Sequence, residues 1–303
     1  MKIISEFDAL GDIQGNLCAA LGYFDGLHMG HQKILNKTKE SGFTSAVITF
    51  LNQPASFIKK SKAPSRILPL EDKISLFESF GVEFLFIFKF DEVLMNMSAC
   101  DFFDKFIVSF NIKKVVAGFN FNFGKNREGD SRLLEELCEL HEVQSCIVEP
   151  VIYKDNVVSS SLIKKMLYNG NIKDANEMLS RPYFLKGKVI HGKRIGSSIG
   201  IPTINISVND EVVVPKWGVY ESRVEIDGEM YYSITNVGSN PTVQNGVLSV
   251  ETHILGFSDE IYGKVVRVDF IDRIRNERKF NGIEELRSQI NSDISLIKKK
   301  NKL

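Results

Sequence analysis

The sequence has only four cysteines, Cys18, Cys100, Cys138 and Cys146, with no CxxC pair and no histidine at a metal-site interval from any of them. A disulfide framework and a zinc module are thereby excluded, and reduced, mostly buried thiols are expected. Long apolar runs are missing too. The longest, Phe84 to Phe88, falls far short of the roughly 20 residues that span a bilayer, and Met1 to Leu10 has no apolar stretch of signal-peptide length. A cytoplasmic protein without a membrane partner is expected. Neither sign of charge is in excess, since 38 Lys plus Arg meet 38 Asp plus Glu. No global positive field exists to hold a polyanion, so nucleic acid is not an expected partner. Internal repeats, low-complexity stretches and a GxGxxG dinucleotide signature are all absent.

What remains is an ordinary globular composition, 43% apolar and 25% charged, over 303 residues. At roughly 150 residues per domain this length predicts two domains. Up to about residue 180, short apolar runs (Leu17 to Leu21, Ser45 to Phe50, Phe84 to Phe90, Lys114 to Ala117, Gln144 to Val148) alternate with helical patterns. The helical patterns run Gln32 to Glu40, Glu71 to Phe80, Ala99 to Phe110 and Arg132 to His141, followed by Ser161 to Tyr168 and Ile172 to Ser180. Strand and helix in alternation predict an α/β fold with a parallel sheet, whose ligands bind beyond the carboxyl ends of the strands. After Arg181 and Pro182 the pattern changes to consecutive short segments rich in Val, Ile and Tyr, as in an antiparallel barrel or sandwich. A terminal helix carries Ile283, Leu286, Ile290, Ile294 and Ile297 at helical spacing. The expected division is 1–181 and 182–303.

The first run leads directly into GYFDGLHMGH, residues 22 to 31. Its glycines let the backbone turn sharply and approach a ligand, and the helix that follows offers free N–H groups to phosphate. His28 and His31, three apart, can face one point. By themselves they are equally a metal half-site or two polar residues at a helix start. The chemistry that uses such a pair after strand one is adenylyl transfer, with imidazole donors facing charge on phosphate oxygens. In the second half, GIPTIN at 200 to 205 puts Thr203 and Asn205 on one face of a strand. Two neutral oxygens suit magnesium already held by nucleotide phosphates, although any strand brings residues two apart together.

Three motifs of the first half, GYFDGLHMGH, GFNFNFGKNREGD at 118 to 130 and SSSLIK at 159 to 164, resemble in order those of the bacterial bifunctional riboflavin kinase/FMN adenylyltransferase (FAD synthetase) family. PTIN, GVY at 218 to 220, NVGSNPT at 236 to 242, ETH at 251 to 253 and RIRNERKF at 273 to 280 resemble its kinase half. The resemblance implies a Rossmann-like nucleotidyltransferase domain followed by a β-barrel kinase domain. It further implies ATP, riboflavin and FMN as substrates, FAD as product and Mg2+ as cofactor. By the same resemblance, His28, His31 and Glu251 are catalytic, Glu251 as the base. Gly22, Phe24, Asp25, Gly30, Ser159, Ser160, Ser161, Lys164, Gly192, Gly196 and Gly200 bind nucleotide, Asn120, Phe123, Arg127, Arg275 and Phe280 contact flavin, and Thr203 and Asn205 hold metal.

The sequence also departs from the family pattern. Asn120 stands for Asp, Lys164 for Arg, and FLNQP at 50 to 54, with Asn52 and Gln53, for FxPHP. Ser197 and Asn240 stand where Arg is frequent, with Lys193 and Arg194 near enough to supply charge instead. Lysine lacks the bidentate fork that arginine offers phosphate. The alternative these departures leave is a riboflavin kinase whose first domain binds nucleotide or flavin as a scaffold. Self-association is the one macromolecular contact left open.

Overall fold

The computed structural model describes residues 1–5, 15–54, 57, 66–192, 196, 200–240 and 247–303. Lys193, Arg194 and Ser197 lie outside the described residues. The chain divides into two units, Met1–Ser160 and Ser161–Leu303.

The first unit contains a parallel six-stranded sheet. Its strands are β1 (Lys2–Ile4), β2 (Leu17–Leu21), β3 (Thr44–Phe50), β4 (Phe84–Phe88), β5 (Ile112–Gly118) and β6 (Gln144–Val148), in the order β1-β4-β3-β2-β5-β6. β2 reads as an unbroken apolar run because both of its faces are covered. Leu17, Ala19 and Leu21 join one core and Cys18 and Ala20 the other. The described helices of this unit are α1 (Met29–Lys39), α2 (Leu70–Ser79), α3 (Glu92–Asn96), α4 (Ala99–Phe103) and α5 (Ser131–Leu140). The helix expected over Ala99 to Phe110 changes at Asp104 into a π-helical turn, Asp104–Val108. β1 and α3 carry too little pattern to be read from sequence. From β2 the chain moves to β3 and β4 on one side, then returns to place β5 on the other. This opens a crevice at the carboxyl ends of β2 and β5, the switch point where such sheets bind ligands.

In the second unit β9 (Tyr183–Ile190), β10 (Ile204–Ser207), β11 (Gly218–Ile226), β12 (Glu229–Asn240), β13 (Val247–Ile254) and β14 (Val265–Arg275) close an antiparallel barrel, ordered β10-β13-β12-β11-β14-β9. The small strands β7 (Ile152–Tyr153) and β8 (Asn156–Val157) form a hairpin in the first unit. Alternation along β13 buries Val250, Thr252 and Ile254 and turns Glu251 and His253 the other way. Buried hydroxyls satisfy one another in a chain: Ser222 meets Ser233 and Thr235 at 2.7 Å each, and Thr235 meets Thr252 at 2.9 Å.

The composition break at Pro182 marks a change of element type, whereas the packing divides earlier, at Ser160/Ser161. Helices α6 (Ser160–Asn169) and α7 (Ile172–Leu179) precede the barrel. The Asn176 amide of α7 donates to the Phe270 carbonyl at 2.8 Å and accepts from the Tyr183 N–H at 2.7 Å. Ile172, Ala175, Met178 and Leu179 are buried. A fully buried apolar side chain of this size contributes about 1.5–3 kcal/mol. A fragment of residues 183–303 is therefore expected to melt roughly 10 °C or more below one of residues 161–303. Equal melting temperatures by circular dichroism would show that α7 does not support the barrel.

The terminal helix α8 (Ile283–Asn301) lies against this barrel, with Ile294 and Ile297 packed beside Val219 and Ile234. Its expected stripe is shorter than the spacing implied: Ile283 is exposed. The far end is fixed by polar contacts, since the buried Glu221 accepts from Lys300 Nζ at 2.5 Å and Asn301 Nδ2 at 2.9 Å. All four cysteines are free thiols: Cys18 and Cys138 are buried, Cys146 is half-buried and Cys100 is exposed. Cys100 sits on the outer side of α4, where no core neighbour is required.

Candidate functional site

At the end of β2 the chain makes a tight, strained turn. Phe24 has φ 57° and Leu27 φ 42°, a left-handed backbone that bulky residues rarely adopt, and Gly26 follows suit at φ 83°. A Cβ on Gly26 would lie 2.9 Å from Ile67 Cδ1, so this position excludes a side chain on two grounds. Phe24 is buried, with its ring edge-on to His31 at 5.2 Å and to Phe77 at 5.6 Å.

His28 caps α1, which begins at Met29, three residues before the expected start, and its Nδ1 accepts the His31 N–H at 3.4 Å. An accepting Nδ1 fixes the neutral ring's proton on Nε2, leaving that nitrogen as the donor. The two imidazoles stack 3.6 Å apart at 20°. Burial pushes His28 down to about 4 and His31 well below the usual histidine range, His31 also through its neighbours His28 and Lys73. Both rings are therefore neutral at pH 7. His31 Nδ1 is buried without a hydrogen-bond partner among the described residues, as expected of a group built to meet a ligand.

Asp25 is buried within the same turn. Its Oδ1 accepts the Ile67 N–H at 2.8 Å, and its carbonyl accepts the Ser160 hydroxyl at 2.8 Å. The residue braces the turn. Gly30 lies in the first turn of α1, where a Cβ would sit 3.2 Å from the His28 ring. Ser159 and Ser160 close the first unit, while Ser161 and Lys164 stand on α6 in the second.

A cavity of about 570 Å³ opens beside His31 at the switch point, lined by Gly22, Phe24, Asn120, Phe123 and Arg127 among others. Its wall is largely aromatic. The Phe123 ring is packed against Gly129, where a Cβ would collide with it, and lies 5.6 Å from Phe121 at 16°. Asn120 is exposed, and Arg127 holds a left-handed φ of 62° beside Asn126 at 55°. Asn52, one of the departures from the family pattern, knits the ends of β3 and β4. Its Nδ2 donates to the Phe90 carbonyl at 2.8 Å and its Oδ1 accepts the Phe90 N–H at 2.9 Å.

In the second unit Asn205 of β10 pairs directly with Glu251 of β13. The Ser249 hydroxyl lies 2.9 Å from Glu251 Oε1 and 3.2 Å from Asn205 Oδ1, linking the two. Sequence reading missed Ser249, although its place two residues before Glu251 put it on the same face. Thr203 lines two cavities. One, of about 220 Å³, also holds Glu251, His253, Arg275 and Phe280; the other, of about 260 Å³, is lined by Asp259, Glu260 and Tyr262. A Cβ on Gly192 would strike the Asn205 amide, and one on Gly196 would lie 3.3 Å from Thr203 Oγ1. Gly200 has φ 77° with open space around it. Arg275 pairs with the buried Asp293 of α8 at 2.8 Å, anchoring the helix over the smaller cavity, and its guanidinium lies 5.8 Å from the Phe280 ring centre. No cluster of three or more His, Cys, Asp or Glu side chains suited to a metal occurs among the described residues.

Residues 11–162 match the FAD synthetase family profile and residues 179–301 the riboflavin kinase profile. The bifunctional riboflavin kinase/FMN adenylyltransferase of Bacillus subtilis (strain 168) is 40% identical over 289 residues, 92% of this chain and 91% of that one. This chain belongs to the bifunctional riboflavin kinase/FMN adenylyltransferase family. The member from Escherichia coli (strain K12) is 30% identical over 97% of this chain and 96% of its own. A solved structure described as a macrolide-efflux protein from Streptococcus pneumoniae superposes with a TM-score of 0.87 at 30% identity, covering 98% of each chain. Family membership thus spans both units, and the two groups of cavities fall one in each matched region. No described helix is long and apolar enough to cross a membrane.

Proposed function

We propose that the chain makes FMN and then FAD, phosphorylating riboflavin with ATP in the second unit and adenylylating FMN with ATP in the first, in the cytoplasm and without a nucleic-acid partner. The observation that carries the first half of this reading is the stacked, neutral His28–His31 pair opening on an aromatic cavity of flavin-compatible size. FMN occupies the cavity between Phe123 and the β2 turn, with Asn120 and Arg127 at its mouth. Its phosphate attacks the α-phosphorus of ATP, and pyrophosphate leaves. The N–H donors of the two imidazoles, together with the free N–H groups of the first turn of α1, face the charge that builds on the α-phosphate oxygens.

For the kinase, Glu251 takes the proton of the ribityl 5′-hydroxyl as that oxygen attacks the γ-phosphorus and the bond to the bridging oxygen breaks, releasing ADP, while Arg275 and Phe280 border the isoalloxazine. Thr203, shared by both cavities, stands where phosphate passes from one to the other. Gly192 and Gly196, lacking a Cβ, let their backbone pass close to Asn205 and Thr203. Thr203 Oγ1 and Asn205 Oδ1 are hard, neutral oxygens that fit magnesium, and the ion, when bound, neutralises phosphate charge. The scaffold alternative for the first unit gains no support, since the histidine pair is intact and positioned.

The test is direct. Purified protein given riboflavin and Mg-ATP is expected to yield FMN, then FAD and pyrophosphate, followed by chromatography and a pyrophosphate assay. FMN accumulating without FAD would leave only the kinase reading.

A further inference from the structure

Lys73 of α2 is an unusual lysine. It is only 4% exposed, and among the described residues it makes no ion pair. Its Nζ instead donates to two backbone carbonyls, Tyr23 at 3.1 Å and Phe50 at 3.4 Å, and lies 4.3 Å from the centre of the Tyr23 ring. These carbonyls belong to the segments that leave the carboxyl ends of β2 and β3, where the substrates of the first unit are placed. The Tyr23 carbonyl also accepts the hydroxyl of Thr49, fully buried, at 3.1 Å. Two buried donors from different elements thus converge on one oxygen. That oxygen belongs to the residue immediately before the left-handed Phe24, whose ring packs on His31.

Burying an ammonium is costly, and an apolar side chain of similar volume would serve packing as well or better. Burial pushes the Lys73 ammonium down to about 7, against the opposite pull of Asp25 and with a smaller downward push from Arg66. A strained turn needs something to over-determine it. We propose that Lys73 is a positioning residue for adenylyl transfer: together with Thr49 it clamps the Tyr23 carbonyl, holds the Phe24 turn in its left-handed form, and so keeps the imidazole pair aimed at the nucleotide. Lys73 does not line the cavity and acts through Tyr23. The inference rests on the adenylyltransferase reading above.

The experiment uses the full chain, comparing wild type with Lys73→Met, Lys73→Arg, Thr49→Val and the Lys73→Met/Thr49→Val double variant. Measured are kcat and KM for FAD formation, FMN binding by quenching of its fluorescence, riboflavin phosphorylation in the same preparation, and thermal unfolding. Lys73→Met is expected to lower kcat for FAD formation by about 30-fold or more, with FMN affinity and the kinase rate within about threefold of wild type. Lys73→Arg, which retains donors, should recover at least part of that loss. The double variant should be little worse than Lys73→Met, because both changes release the same oxygen. If Lys73→Met does not fold, Thr49→Val carries the test: lowered kcat with FMN still bound supports the clamp, and unchanged kcat overturns it. The clamp is equally overturned if Lys73→Met keeps full kcat, or if the methionine and arginine variants lose FMN binding and thermal stability alike. A wild-type chain that forms no FAD would instead remove the adenylyltransferase reading itself.

Discussion

Glu251→Gln is expected to lower FMN formation by about two to four orders of magnitude while leaving the barrel folded and riboflavin bound. The carboxylate is held from β13 by the Ser249 hydroxyl at 2.9 Å and faces the cavity it shares with Arg275 and Phe280. Glutamine keeps the shape and the acceptor oxygen, so Ser249 retains its partner, but the amide cannot take the proton of the attacking hydroxyl. Because the neighbouring contacts survive, kcat should fall with little change in the KM for Mg-ATP. Thr203→Val is expected to do the reverse, raising that KM, since it removes the oxygen and keeps the branched shape. Normal turnover by Glu251→Gln in a phosphoryl-transfer assay would assign the base to another group.

Replacing His28 and His31 together by Ala should abolish FAD formation and spare FMN formation. Loss of a single preorganised donor to a developing oxyanion costs roughly 10²–10³ in rate, and here two donors go at once. The kinase in the second unit serves as the internal control for folding and ATP quality. The same variant has a pH signature. His28 titrates near 4 in the folded chain, against 6.5 for an ordinary histidine. Between those values the unfolded chain binds more protons than the folded one, so the wild type loses stability as pH falls through that window. The double Ala variant should lose less over the same range. An identical acid dependence of thermal unfolding in both proteins would contradict the burial of these rings, and undiminished conversion of FMN to FAD would remove them from the site.

The departures at Asn120 and Asn52 illustrate how far motif comparison reaches. At 52 the side chain is committed to the backbone of Phe90 and serves the sheet ends, whereas at 120 it is exposed at the cavity mouth. Both positions look like simple losses of a charged or ring side chain when read along the chain. Only their surroundings separate a structural brace from a group available to ligand. Arg275 is similar: its position in RIRNERKF marks it for flavin, and the structure shows its guanidinium held by Asp293 of the terminal helix.

The sequence by itself determined the two-unit α/β and β architecture, because strand runs buried on both faces, period-two segments and helix caps are local signals that tertiary packing here does not override. It also marked His28 and His31, three apart at a helix start, and Thr203 and Asn205, two apart, whereas Glu251 was marked by the resemblance of ETH to the kinase half of the family and is brought to Asn205 by the pairing of β10 with β13. Tertiary structure alone decided what comes together from distant segments. Lys73 reads as one more polar residue on an amphipathic helix, and Ile283 as a core residue of a stripe, until the neighbours that bury one and leave the other exposed are in place. The division into compact units at Ser160/Ser161 is likewise a property of packing, since the apolar face of α7 is the same pattern whichever unit it covers. Burial, hydrogen-bond partners and the pKa shifts they cause depend on contacts between residues far apart in the chain, and those contacts exist only in the folded molecule.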